Sequence, residues 1–274
     1  MAGKKKRTDP KLLLRWVVAL CAMFVIMAAL AVVLKRSDTV LRAPRPDPAP
    51  SAPEANPYGP EDFAYDENGY LTCLAGNSIP GIDVSSHQGQ IDWEAVKASG
   101  IRFAIIRLGY RGYNSGTLHT DEMALQNLSG AKAAGLKIGA YFFSQAITTE
   151  EARAEAHHAL QVLGGMALDL PLVYDWEFVS ESARTGSVTS ETLMACIHAF
   201  CDEVERQGYE PMVYFNQSLA KDMLQLEYLT RYPFWLAMYS DQMTYPYKIR
   251  FWQYSDQGSI PGIAGNVDLD LYFP

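Results

Sequence analysis

The chain is short of several things that would place it at once. It has four cysteines in 274 residues, and Cys21 falls in an apolar run near the N-terminus. Cys196 and Cys201 stand five apart on a predicted helix, a poor disulfide geometry, and with Cys73 they make an odd number. No metal-ligand spacing occurs among them. Neither a disulfide framework nor a metal site is expected, and the three are read as small buried apolar residues. The glycine-rich phosphate fingerprint of nucleotide-binding sheets is missing, and no cofactor is expected. There is no internal repeat and no heptad pattern. Basic residues are scarce beyond residue 36. Eight of the 23 Lys/Arg lie up to that point but only one of the 31 Asp/Glu, which leaves fifteen against thirty. That excess of negative charge argues against a nucleic-acid partner.

What is present begins with a charged and then apolar N-terminus. Residues 1–15 carry Lys4, Lys5, Lys6, Arg7, Lys11 and Arg15, and Trp16–Leu34 is nineteen residues without a charge, closed by Lys35-Arg36. That length just spans a bilayer as a helix, and no small-x-small cleavage site precedes the closing charges. The run is read as a single-pass signal anchor in the cell membrane, with a cytoplasmic N-terminus and an extracellular C-terminal domain. Residues 35–60 form a linker whose Pro/Ala-rich part, 43–60, holds seven of the fifteen prolines and reads as an extended spacer. Residues 61–79 lead into a domain at 80–274.

Within that domain, strand-like runs alternate with helical stretches. Strands are expected at 82–85, 103–108, 137–143, 172–177, 212–215, 234–239, 249–253 and 267–270. Helices are expected at 92–97, 121–134, 149–163 and 190–207. Eight strands over about 200 residues favour a small α/β barrel over an open sheet, with helices short or missing among the last three strands. Such barrels gather their chemistry at the C-terminal ends of the strands. Those ends carry Asp83, Tyr110, Tyr141, Phe143, Asp175, Glu177, Tyr214, Asn216, Trp235, Tyr239, Trp252 and Asp268. Aromatic faces with a few carboxylates suit a carbohydrate.

The central stretch is Pro171-Leu-Val-Tyr-Asp-Trp-Glu177, a buried-strand pattern ending in two acids two residues apart. Residues i and i+2 of a strand share a face, which puts Asp175 and Glu177 side by side with Cα atoms roughly 6.5 Å apart. Like charges at that range raise the pKa of one partner, as a general acid requires. A solvated surface D-x-E is the bland alternative. Trp176 points the other way, into the core.

These residues resemble the family 25 glycoside hydrolases, the Chalaropsis-type lysozymes that cut bacterial peptidoglycan. The likeness runs from about Pro80 to Phe273. It rests on Gly81-Ile-Asp-Val-Ser-Ser-His-Gln-Gly89, Gly139-Ala-Tyr-Phe-Phe143, Tyr174-Asp-Trp-Glu177, Pro211-Met-Val-Tyr-Phe-Asn216, Phe251-Trp-Gln-Tyr254 and Gly265-Asn-Val-Asp-Leu269. The resemblance implies a flattened, TIM-like (β/α)5(β)3 barrel that cleaves the β-1,4 bond between N-acetylmuramic acid and N-acetylglucosamine. It implies Glu177 as general acid, with Asp83, Asp175 and Asp268 as the other catalytic carboxylates. Tyr110, Tyr141, Phe143, Tyr214, Asn216, Tyr239 and Trp252 would bind the glycan. Net retention would come from the substrate's 2-acetamido group, with Asp175 stabilising the intermediate. One departure is Asp270, where the family commonly has Asn.

Two other readings stand beside this one. The barrel could hold glycan without cutting it, as a scaffold tethered at the envelope, although the complete acidic set disfavours that. It could instead be chitinase-like, but the longer D-x-x-D-x-D-x-E ladder is broken by Val173. His87 is read as a loop histidine, and His157 and His158 as solvent-facing. Arg107 could face a site carboxylate or pair within the core.

Overall fold

The structure, a computed structural model, describes residues 49–274. The apolar run at 16–34 and its flanks lie outside the described residues. Among those described, no helix is long and apolar enough to cross a membrane. A small antiparallel hairpin, β1 (Phe63–Tyr65) with β2 (Leu71–Cys73), precedes the main sheet.

Eight strands close into a barrel. They are β3 (Ile79–Val84), β4 (Phe103–Arg111), β6 (Lys137–Ser144), β7 (Leu172–Trp176), β8 (Pro211–Asn216), β9 (Phe234–Ala237), β10 (Phe251–Gly258) and β11 (Val267–Tyr272). β5 (Leu118–Thr120) adds a short antiparallel edge to the end of β4. Neighbours from β3 round to β10 run parallel, and β11 closes the ring antiparallel to both β10 and β3. The helices α1 (Trp93–Ala98), α2 (Ala124–Ala133), α3 (Thr149–Leu163), α4 (Ser190–Arg206) and α5 (Gln217–Asp222) each follow one of the first five barrel strands. β10 reaches β11 through only residues 259–266, too few for the crossover a parallel return needs, so β11 runs back.

Helix ends follow local chemistry. The Thr148 hydroxyl accepts from Glu151 N at the start of α3, and Gly164 ends the helix in the left-handed region at φ 56°. The helix expected from residue 121 starts instead at Ala124, because Asp121 is drawn away to accept from Ser86 N, Met123 N and Arg107.

Strand alternation divides the apolar residues into two layers. Phe103, Ile105, Tyr141, Val173, Met212, Tyr214, Trp235, Phe251 and Tyr272 fill the barrel interior. Ile82, Ile106, Phe142, Tyr174, Trp176, Phe215, Trp252 and Leu271 face out beneath helices and loops. The described part of the proline-rich stretch does not stand free. Ser51 N donates to Glu227 O, Asn56 N to Pro246 O and Lys248 N to Glu54 O, so residues 51–58 are strapped along the barrel.

Candidate active site

At the C-terminal ends of the parallel strands the inward positions change from apolar to acidic. On β7, Val173 lies in the interior cluster and Asp175 follows on the same face, 4 % exposed. Glu177 stands one step past the strand end and is half-buried. On the opposite wall Asp83 of β3 is the register partner of Asp268 on β11. Asp270 lies one inward position deeper, fully buried, with Trp235 Nε1 donating to its Oδ1 at 2.9 Å. Asp268 and Asp270 thus both face the interior, one near the rim and one below it.

Burial raises the pKa of every carboxyl in this group, and neighbouring acids raise most of them further. Asp83 lies well above the usual carboxylate range through desolvation and the charges of Asp268 and Asp270. Asp175 is raised well above it by desolvation and by Glu177, against a lowering contribution from Arg107. Glu177 is raised by desolvation and by Asp268. Desolvation and Asp256 push Asp268 up to about 6. Two carboxylate oxygens, Asp175 Oδ1 and Asp270 Oδ2, are buried without a hydrogen-bond partner in the protein. Placing like charges in a desolvated cup is unfavourable unless protons are shared, and such groups titrate together.

Arg107 pairs with the buried carboxylate of Asp121 and reaches the site acids through its charge alone. Its Nε donates to Asp121 at 2.8 Å and its Nη2 to Ser86 Oγ at 3.2 Å, while its positive charge lowers Asp175. The register of β4 shifts between Arg107 and Gly109. That bulge reverses the alternation, pairing Tyr110 with Phe143 and turning Arg111 outward to Glu155. Gly109 is required there, since a Cβ would lie 2.3 Å from His119 O. Tyr110 stacks on His119 with centroids 4.9 Å apart and lies 5.3 Å from the Arg107 guanidinium.

Gln253 was not among the expected site residues. Its Nε2 donates to Asp83 Oδ2 at 2.7 Å, and its Oε1 accepts from the hydroxyls of Tyr214 at 3.0 Å and Tyr239 at 3.3 Å. A signal was available: Gln253 is a polar residue two positions after inward Phe251, at the mouth end of an apolar strand. Tyr141 is edge-on to Trp235, and burial together with the charge of Asp83 keeps its hydroxyl protonated. Phe143 is half-buried beside Asp175 in register, and Tyr239 is 57 % exposed.

One expected glycan contact is corrected. Trp252 belongs to the outer layer, 0 % exposed, edge-on to Phe63 with its indole donating to Met238 O at 2.8 Å. Alternation puts inward Gln253 next to it and turns Trp252 away from the mouth. Asn216 caps α5, accepting from Leu219 N at 2.8 Å, and lines a side cavity of about 400 Å³ with Trp176, Phe178 and Thr185. A larger cavity, about 590 Å³, lies under the 51–58 strap and is lined by none of Asp83, Asp175, Glu177, Asp268 and Asp270. Trp176 is buried as expected, and His87 is exposed on a short turn. His158 is half-buried against Phe142 and bonded to Thr120, not solvent-facing. Among the described residues no cluster of His, Cys, Asp and Glu has metal-binding geometry.

Residues 82–263 match the family described as Glycosyl hydrolases family 25. An autolytic lysozyme of Clostridium acetobutylicum is 31 % identical over 195 residues, covering 71 % of this chain and 56 % of the relative. The modular autolysin LytC of Streptococcus pneumoniae superposes with a TM-score of 0.66 at 25 % identity, covering 77 % of this chain and 52 % of that one. A bacterial lysozyme from Streptomyces coelicolor gives 0.57 at 27 %, covering 72 % and 92 %. The chain therefore spans about half the length of the first two. With a matched segment that holds Asp83, Asp175 and Glu177 and covers about two thirds of the sequence, the chain belongs to glycoside hydrolase family 25.

Proposed function

We propose that the barrel is a peptidoglycan hydrolase of the muramidase type, cleaving the β-1,4 bond between N-acetylmuramic acid and N-acetylglucosamine. The observation that carries this reading is the inward pairing of Asp175 and Glu177, opposed across the mouth by Asp83 and Asp268. The family membership supports it, as does a second structure of the pneumococcal autolysin in complex with a synthetic peptidoglycan ligand.

Glycoside cleavage needs a proton on the leaving oxygen and negative charge near an oxocarbenium-like centre. Burial raises both Asp175 and Glu177, with Arg107 acting the other way on Asp175, and the donated proton is assigned to Glu177 because it stands half-buried at the strand end, where a leaving oxygen can reach it. Glu177 is then the general acid. Asp175 Oδ1, buried and unpartnered, can accept from the N–H of the substrate's 2-acetamido group as that group attacks the anomeric carbon. The oxazolinium-like intermediate is stabilised by the Asp175 charge, and Glu177, now ionised, deprotonates the water that opens it. Tyr239 offers an exposed ring at the rim, and Gln253 holds Asp83 in place. No cofactor enters this scheme.

The test is Glu177→Gln assayed on purified cell walls. Turnover should fall by a factor of roughly 10² or more with the fold retained, the scale of a positioned proton donor. The wild-type protein should release fragments with new reducing ends at N-acetylmuramic acid. Near-normal turnover in folded Glu177→Gln protein would defeat the assignment.

The Trp16–Leu34 run is proposed to anchor the chain in the membrane with the barrel outside. Protease applied to intact cells should release a domain that begins ahead of Ser51, since residues 51–58 are bonded to the barrel. Mature protein free in the medium and starting near residue 37 would show a cleaved signal peptide instead.

A further inference from the structure

Glu177 lies just beyond the last register pair of its strand, Ser144 with Trp176. It also opens the connection 177–189 to α4, a long loop for a compact domain. A general acid is effective only when held to a fraction of an ångström, so something must replace the missing ladder bond. The side chain of Gln145 does so. It is 0 % exposed, and its Nε2 donates to Glu177 O at 2.8 Å and to Ser144 O at 2.9 Å. Its Oε1 accepts from the hydroxyl of Thr185, itself 1 % exposed, at 3.1 Å. Two carbonyls on one side and a hydroxyl on the other fix which end of the amide is nitrogen.

The same residue closes the far end of the loop. Its backbone oxygen accepts from the Arg184 guanidinium, which forks onto Glu151 at 2.8 and 2.6 Å. Residues 177 and 185 therefore converge on one buried side-chain amide, and residue 184 on the backbone oxygen of the same glutamine. Nothing in a core of this kind requires a glutamine; an apolar side chain of the same volume would fill the space and leave the Glu177 carbonyl unbonded.

We propose that Gln145 is a positioning residue for the catalytic acid: its buried carboxamide ties the main chain of Glu177 to Thr185, near the far end of the loop that Glu177 opens. The proposal rests on Glu177 being the general acid, and Gln145 itself touches no substrate.

The experiment compares Gln145→Met, Glu177→Gln, the double variant and Thr185→Val in the full-length chain, on soluble peptidoglycan fragments, with thermal melts to verify folding. Gln145→Met should lower kcat about 10- to 100-fold while KM moves less than threefold. The alkaline limb of its pH–kcat/KM profile should move to lower pH, because a loosened Glu177 takes up water and drifts toward an ordinary carboxylate. The double variant should be no slower than Glu177→Gln alone, and Thr185→Val should reproduce the pattern in smaller measure. A Gln145→Met loss that multiplies onto Glu177→Gln, or a limb that stays in place, would reduce Gln145 to a loop staple and overturn the proposal. Wild-type kcat in Gln145→Met beside an inactive Glu177→Gln refutes Gln145 and leaves the acid standing. Full turnover in Glu177→Gln removes the acid assignment and the proposal with it.

Discussion

Glu155 of α3 and Asp175 of β7 are both buried carboxyls of one barrel, and their surroundings differ. Glu155 takes Nε of Arg111 at 2.6 Å on one oxygen and the Ser144 hydroxyl at 2.6 Å on the other, with Tyr174 2.9 Å from that hydroxyl. Asp175 keeps one oxygen unpartnered and has Glu177 beside it. Burial raises both, Glu155 to about 7 even against Arg111. In the first group partners occupy every oxygen, which makes it a strut between α3 and the sheet. In the second the polar demand is left open toward the mouth, where a substrate can meet it. The physical marker of the site is unsatisfied like charge, not buried charge as such.

Breaking the strut should have the largest effect on stability. Arg111→Met leaves Glu155 buried without its cation and should cost about 3–5 kcal/mol by urea denaturation, while kcat of the folded fraction stays within twofold. A matching loss of kcat would mean that the two groups act as one. Asp270→Asn tests the opposite case, removing a buried acid with an unpartnered oxygen. At pH 8 the substitution should stabilise the barrel by on the order of 1–3 kcal/mol, with the gain shrinking as pH falls and the native carboxyl, raised by burial and Asp268, takes up its proton.

The wild-type chain should show the same sign. Carboxyls raised on folding, Asp268 to about 6 from 3.8 and Glu155 to about 7 from 4.5, hold protons that the unfolded chain releases. Their stabilising contribution is full below about pH 4 and is lost as pH rises through 6 to 7, so the denaturation midpoint should be higher at pH 5 than at pH 8. A midpoint that rises from pH 5 to 8 would mean that the acids are neutralised by charges elsewhere. The smallest effect is at long range. A net excess of acids repels an anionic wall, and that repulsion is screened beyond about 8 Å at physiological salt. The barrel without residues 1–48 should therefore hydrolyse walls a few-fold faster as salt rises to that level; a steady fall would reveal a local basic patch that steers substrate.

Much of the fold was legible because its determinants are local or periodic. Apolar runs marked the strands, helices were expected to open at Thr149 and Ser190, each of which proves to follow a capping threonine, and the short spacing after residue 234 showed that helices run out. The period of two sufficed to put Asp175 and Glu177 on one face. It misled at Trp252, because a strand end reads the same from sequence whichever face points inward. Asn216 was legible as a strand-end polar residue but not as a cap, since α5 begins at the next residue.

By itself, then, the sequence determined the order of strands and helices, the family, and the acids available, all properties of neighbours along the chain. Only the tertiary structure decided which of those acids meet. Closing β11 against β3 brings Asp268 opposite Asp83, from residues 185 apart in the chain. The bulge after Arg107 turns Tyr110 to the mouth, and a glutamine one residue past the end of β6 takes up the backbone of the acid where the ladder stops. The reason is the same in each case: register and burial are set by pairing between distant segments, and no local pattern encodes them.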